Sequence, residues 1–229
     1  MTRVALAVFA IASIGELVAG ALGSQYLEFV SKPLLMISLG IYYTTKLRAS
    51  GVEIAPAVVI AIVFSFLGDV LLMLQYMDEL FFLLGLASFL VAHLSYIRAY
   101  RLHQRQDDEG RSLYGTQKVR FALPIVLATT GLISILYNHL GGLKLPVVIY
   151  ALVLMWMTLQ ALFRFGKTSG SSFWCVLAGA MLFMSSDAMI AINKFLSPLP
   201  LSDLLIMSAY IIGQFLIISG LILHAKQKR

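Results

Sequence analysis

The sequence predicts an all-α, polytopic membrane protein, an eight-transmembrane-helix bundle with both termini cytoplasmic. Three observations carry this. The apolar residues fall in continuous runs of about 20, the length a helix needs to cross a bilayer. Charged residues make up 12% of the 229-residue chain, against about 25% in a soluble domain, and the mean hydropathy is +0.90. The basic residues are distributed unevenly among the segments that join the runs. Continuous apolar runs also exclude a β-barrel, whose strands alternate with period two.

The spans follow in order. The first, Val4–Leu22, comes after Arg3 and contains Glu16. Its basic start, apolar stretch and small residues near Ala21–Ser24 also suit a secretory signal peptide. Glu16 inside the stretch speaks against cleavage, and the other seven helices would keep their orientation in either case. The second span, Val30–Thr45, is the weakest. Lys32 and Pro33 stand at its start, and Pro suits a first helical turn, where its missing N–H is not needed. The third, Ala55–Leu74 (APAVVIAIVFSFLGDVLLML), carries Asp69. The fourth, Leu80–Tyr100, carries His93 on one face with Phe89, Tyr96 and Tyr100. The longest connection, Arg101–Arg120, contains QRQDDEGRS and reads as a solvated cytoplasmic loop. The fifth span is Val119–Leu136. The sixth, Leu145–Phe163, carries Tyr150; the seventh, Ser172–Phe195, carries Asp187; the eighth, Leu201–Leu223, carries Tyr210 and, one turn deeper, Gln214. The remaining connections are short and no internal repeat stands out, so residues 1–229 read as one transmembrane domain.

Charge placement tests the count. With the N-terminus inside, the cytoplasmic segments hold Arg3, Lys46, Arg48, the cluster from Arg98 to Arg120, Arg164, Lys167, Lys226, Lys228 and Arg229. Only Lys32, Lys144 and Lys194, of 17 Lys and Arg, fall on the other side. This asymmetry supports eight crossings and suits a bacterial inner (plasma) membrane, although the same rule operates in the endoplasmic reticulum. The net charge of +6 therefore points to topology and anionic headgroups and not to nucleic acid. The one cysteine, Cys175, lies inside an apolar run and reads as a small core residue.

Ionisable residues at membrane depth are costly and mark functional sites by default. On this topology Glu16, Lys32, Asp69, Asp187, Tyr150 and Tyr210 share one half of the bilayer, at a depth of roughly 5 to 20 Å, with His93 nearest the midplane. Lys194 lies two turns from Asp187 on one stripe. Lys32, Met36 and Tyr43 line one side of the second span. A cavity with such walls suits an amphiphile with a polar head and a long apolar tail. Each residue also has a structural reading. The aspartates could bond across helices, Glu16 could pair with Lys32, Lys32 could snorkel, and His93 could be a core histidine. Tyr150, Tyr210 and Gln214 could be hydrogen-bonding glue. His103, His139 and His224 lie in loops or at a helix end and are expected to be inert.

The sequence lacks G-x-S-x-G, HExxH and CxxC motifs, and no Gly-rich loop suggests a nucleotide. A zinc hydrolase needs about three converging ligands, and His93 is the one histidine clearly within the membrane, so no metal and no cofactor are expected. Two carboxyl groups in different surroundings can divide the roles of acid and base, which equips a site for general acid–base hydrolysis.

FSFLGDVLLML (Phe64–Leu74), FLLGLASFLVAHLSYIRAY (Phe82–Tyr100) and GAMLFMSSDAMIAINKF (Gly179–Phe195) resemble the signatures of the YhhN family, the lysoplasmalogenase family of integral membrane proteins. The Lys32–Pro33 pair and the Tyr210/Gln214 pair also look like that family. The resemblance covers essentially the whole chain, with its G-D, H-x-x-Y and S-D elements each on a separate helix. It implies an eight-helix bundle that hydrolyses the vinyl ether bond of lysoplasmalogens, giving a fatty aldehyde and glycerophosphoethanolamine or glycerophosphocholine. The partners would be a lysophospholipid substrate and membrane lipids; the oligomeric state is left open. Asp69 and Asp187 would be the catalytic pair, with the acid and the base unassigned. Lys32 would bind phosphate or tune the acids, and His93, Tyr150 and Tyr210 would orient the carboxyls or water. Glu16, Gln214 and Lys194 complete the candidate binding set. The competing reading is a non-enzymatic transporter or binding protein for lipids or small amphiphiles. Against it stands the lack of an inverted repeat or paired broken helices.

Overall fold

The computed structural model describes residues 1–104 and 112–227. It holds eight α-helices, with no strand among the described residues. These are α1 (Thr2–Leu22), α2 (Gln25–Arg48), α3 (Pro56–Met73), α4 (Glu79–Leu102), α5 (Gly115–Leu136), α6 (Lys144–Leu162), α7 (Gly170–Phe195) and α8 (Ser202–Gln227). Two short 3₁₀ turns, Tyr137–His139 and Gly141–Leu143, join α5 to α6. Seven helices, α1 and α3 to α8, are long and apolar enough to cross a membrane. The chain is a multi-pass integral membrane protein.

The second helix departs from expectation. It has 24 residues and starts at Gln25, so Pro33 lies inside it and not in its first turn. The apolar run begins late because Glu28 and Lys32 interrupt it, yet the helical period continues through both. Glu28 and Lys32 pair one turn apart, and Ser31 Oγ bonds the Leu27 carbonyl at 2.8 Å. Pro33 removes one i→i−4 bond, a loss tolerated inside packed transmembrane helices.

The long connection is shorter than Arg101–Arg120. Helix α4 runs to Leu102, and α5 begins at Gly115, where the Gln117 side chain accepts the Tyr114 N–H at 3.1 Å. Most of QRQDDEGRS, with Arg105 and Arg111, lies outside the described residues, as do Lys228 and Arg229.

Close backbone approach sets the frame. A Cβ on Gly179 would lie 2.7 Å from the Gly213 carbonyl oxygen, and one on Gly213 would lie 2.9 Å from that of Gly179. Glycine at both positions lets α7 and α8 pack backbone to backbone, and this is the most extensive helix pair in the bundle. Helices α3 and α4 form the next, with the Phe89 ring seated over Gly68. Asp187 and Asp69 ride on these two tight pairs. Helix α5 is peripheral; it buries only Ile125, Thr129 and Leu136.

One basic residue is not where the charge pattern puts it. Arg164 follows α6 but is fully buried, not solvated in a connection. Its Nη2 donates to Ser172 Oγ at 3.0 Å and to the His103 carbonyl at 3.4 Å, and its guanidinium lies 5.8 Å from the Tyr100 ring. Ser172 Oγ in turn donates to the Gly220 carbonyl at 2.7 Å. Burial pulls the guanidinium down to about 10. His103 and His224 are packed into the same end, also buried, with their rings 6.0 Å apart. Sequence position near a helix end does not place these side chains in water, because four helices converge over them.

Candidate active site

A cavity of about 520 Å³ opens at the end of the bundle where α1 passes to α2, α3 to α4 and α7 to α8. Its walls include Glu16, Lys32, Asp69, Asp187, Lys194 and Tyr210, six of the nine candidate residues. At the mouth, Lys32 Nζ lies 3.4 Å from Glu16 Oε1 and contacts Glu28. Ser31 Oγ donates to Glu16 Oε2 at 2.6 Å. Lys194 reaches the same space with its ammonium 4.3 Å from the centre of the Phe82 ring.

Deeper in, each aspartate is held by a tyrosine from another helix. Tyr210 on α8 donates to Asp69 Oδ2 at 2.6 Å, and Tyr150 on α6 donates to Asp187 Oδ2 at 2.5 Å. His93 Nε2 lies 2.9 Å from the Tyr150 oxygen and 3.6 Å from Asp187 Oδ2. A phenol has one hydrogen. Tyr150 directs it to Asp187, so the Nε2 of His93 carries the hydrogen that bonds Tyr150. His93 is fully buried, with the Phe183 ring edge-on at 4.9 Å and Phe89 stacked at 6.3 Å. These aromatic walls fix the imidazole. Asp69 is 5% exposed, and the Asp187 side chain 11%, both facing the cavity.

His93 therefore stands behind Asp187 and does not line the polar cavity, and Tyr150 reaches Asp187 from α6. Gln214 lies elsewhere. Its Oε1 accepts from Tyr96 at 2.6 Å and its Nε2 donates to Ser65 at 3.1 Å, tying α8 to α3 and α4 below the site. Glu28 and Asp203 also line the cavity; the sequence reading leaves Glu28 in the connection before the second span and does not single out Asp203, the third residue of the eighth. The i,i+4 spacing of Glu28 and Lys32 was the available signal. No group of three or more His, Cys, Asp or Glu that could hold a metal occurs among the described residues.

A buried pair of tyrosine-held carboxyls facing a charged cavity defines a polytopic membrane protein with an intramembrane polar site. The YhhN family model matches residues 27–221, and the chain belongs to the YhhN family. Lysoplasmalogenase TMEM86A of Homo sapiens is 32% identical over 169 residues, covering 71% of this chain and 64% of that protein. Lysoplasmalogenase TMEM86B of Homo sapiens is 34% identical over 137 residues, covering 59% and 52%. A lysoplasmalogenase of Mycobacterium tuberculosis is 33% identical over 138 residues, covering 59% and 49%. The chain thus spans less than two thirds of the length of each of these relatives. No solved structure matches it.

Proposed function

We propose that this chain is an intramembrane hydrolase that cleaves the vinyl ether bond of lysoplasmalogens, giving a fatty aldehyde and glycerophosphoethanolamine or glycerophosphocholine. The observation that carries the reading is the pair of aspartates on one cavity, each held by its own tyrosine. The names of the relatives agree with it. A vinyl ether hydrolyses when an acid protonates its outer alkenyl carbon, leaving an oxocarbenium ion. Water then adds to the carbon attached to oxygen, and the hemiacetal collapses to aldehyde and alcohol. One carboxyl supplies the proton; the other stabilises the cation and takes a proton from water, as in glycoside hydrolysis. Lys32, held by Glu16 and Glu28 at the mouth, meets the phosphate, and the surrounding carboxylates suit an ammonium headgroup. No step calls for a metal or cofactor.

Residues 1–229 act as one domain that crosses the membrane eight times, with both termini cytoplasmic, in a bacterial inner membrane. The placement of Lys and Arg supports this. Helix α2 is the one in question, being long enough but more polar than the rest. In a Cys175→Ala background, Ser24→Cys should react with an impermeant maleimide on intact cells, and Glu53→Cys only after permeabilisation. Equal labelling of both would remove the α2 crossing.

The function is tested by aldehyde release from an alkenyl lysophospholipid by purified protein, beside an acyl lysophospholipid. Aldehyde from the first and no cleavage of the second is expected. No aldehyde from folded protein, with movement of the lipid across vesicles, would replace the hydrolase by a carrier.

A further inference from the structure

The polar cavity is not the only space that reaches Asp187. A second cavity, about 210 Å³, lies between α5, α6 and α7. Its walls are mainly apolar, with Leu132, Leu136, Ala151 and Leu154 among them. It follows α6 from Val147 to Leu154, roughly 11 Å of helix, and its inner part, at Leu154 and Met184, lies farther from the α7–α8 connection than Asp187 does. A third space of about 50 Å³ lies beneath Leu86 and Phe195. It shares Phe89 and Ile190 with the polar cavity, and Val147 and Ala191 with the apolar one. Among the described residues, Asp187 is the one that lines all three. Asp69 lines the polar cavity only. Charged walls lead up to Asp187 from one side, and hydrocarbon walls lead away from it on the other.

That sequence of surroundings matches one molecule of amphiphile laid across the site. We infer that the α5–α6–α7 groove seats the hydrocarbon chain of the substrate, which places Asp187 as the proton donor to the alkenyl carbon and Asp69 as the base that takes a proton from water. The inference rests on the hydrolase reading above. In the unit O–CH=CH–R the carbon that accepts the proton is the second from oxygen, on the chain side. With the head in the polar cavity and the chain in the groove, that carbon sits at the neck, where Asp187 stands. The carbon attached to oxygen, which receives water, faces the polar cavity and Asp69.

The cycle then closes on itself. The Asp187 carboxyl gives its proton to carbon, and the double-bond electrons form that C–H bond. The ether oxygen shares a lone pair with the resulting cation. Water adds as Asp69 takes its proton, giving the hemiacetal. In the collapse, Asp69 returns that proton to the departing glycerol oxygen, the C–O bond to glycerol breaks, and the hydroxyl proton passes to Asp187. Both carboxyls regain their starting state, and the net change is addition of one water.

Two experiments test this. The first compares kcat/KM for long-chain and short-chain alkenyl lysophospholipids. Wild type should favour the long chain. Ala151→Phe, which fills the groove, should lower the long-to-short ratio at least tenfold, and Leu132→Ala, which widens it, should raise the ratio. Misfolding would not move the ratio in opposite directions. Aldehyde release with a ratio unmoved by either variant would overturn the groove and leave the hydrolase standing. If no alkenyl lipid is cleaved, the hydrolase reading fails. The groove is then judged by binding of uncleavable saturated-ether lysophospholipids, whose chain-length preference should be lost in Ala151→Phe; a preference retained would overturn the groove as well. The second experiment adds azide, a nucleophile with no proton to lose. Consumption of the vinyl ether, with an azido ether as product, should be restored in Asp69→Ala and not in Asp187→Ala. Restoration of Asp187→Ala, or of neither, would overturn the assignment.

Discussion

Both ends of this bundle bury charge, and they do so to opposite effect. At one end Glu16, Lys32, Asp69 and Asp187 front a cavity of about 520 Å³. At the other, Arg164 is fully enclosed, with Nη2 bonded to Ser172 and His103 while Nε and Nη1 have no partner among the described residues. The cavity end keeps space beside its charges. The Arg164 end has used its space for packing. Burial of a charge alone does not mark chemistry; a buried charge beside room for a ligand does. A good hydrogen-bonded neighbour can serve either purpose, so the two ends are told apart by what each loses on substitution.

The largest contrast is expected at the aspartates. Asp69→Asn and Asp187→Asn should each lower kcat for aldehyde release by about 100- to 10,000-fold, the range of general acid–base catalysis, while thermal unfolding in detergent shifts little. Full activity in either variant would remove that residue from the mechanism. Arg164→Ala should show the reverse, with stability falling by about 2 to 4 kcal/mol from lost packing and hydrogen bonds and the folded fraction retaining kcat. Arg164→Met should cost less than Arg164→Ala, because an apolar side chain fills much of the volume and leaves no unpartnered N–H. Loss of kcat in folded Arg164→Met would couple the two ends. Tyr150→Phe and Tyr210→Phe sharpen the comparison within the site. Each removes the tyrosine's hydrogen bond to its aspartate, of about 1 kcal/mol, and Tyr150→Phe should lower kcat more because it also removes the hydroxyl that bridges His93 to Asp187. Equal effects would leave His93 without a role. The smallest effect is expected at the mouth, where Lys32→Met should raise KM several-fold with kcat nearly unchanged.

The helices were legible because apolar runs of membrane length have few other uses. The start of α2 was not, since hydropathy stops at Glu28 and Lys32 while the backbone period does not. Six candidate residues share one cavity because a shared depth, counted along each helix, is a real coordinate in a membrane protein. Depth does not give azimuth. That is why Gln214, one turn below Tyr210, was grouped with the site although it bonds Tyr96 and Ser65. The aspartate–tyrosine partners, 141 and 37 residues apart in sequence, depend on which helices pack together and on nothing local. Arg164 was misplaced because the rule for basic residues counts charges near helix ends and is blind to tertiary cover.

The hydrogen bonds running from His93 through Tyr150 to Asp187 have a further consequence. Every link has one hydrogen and all point toward Asp187, so the row holds that carboxyl in place without offering it a base. At its far end His93 Nδ1 is buried with no partner among the described residues, so the row opens only at Asp187, which faces the cavity. It works as a stop and not as a wire: with Nε2 already carrying a hydrogen, the imidazole takes no proton through Tyr150, and a proton that leaves Asp187 goes toward the cavity side. A carboxyl so arranged would exchange protons with the side of the bilayer on which the cavity opens and would be indifferent to the other.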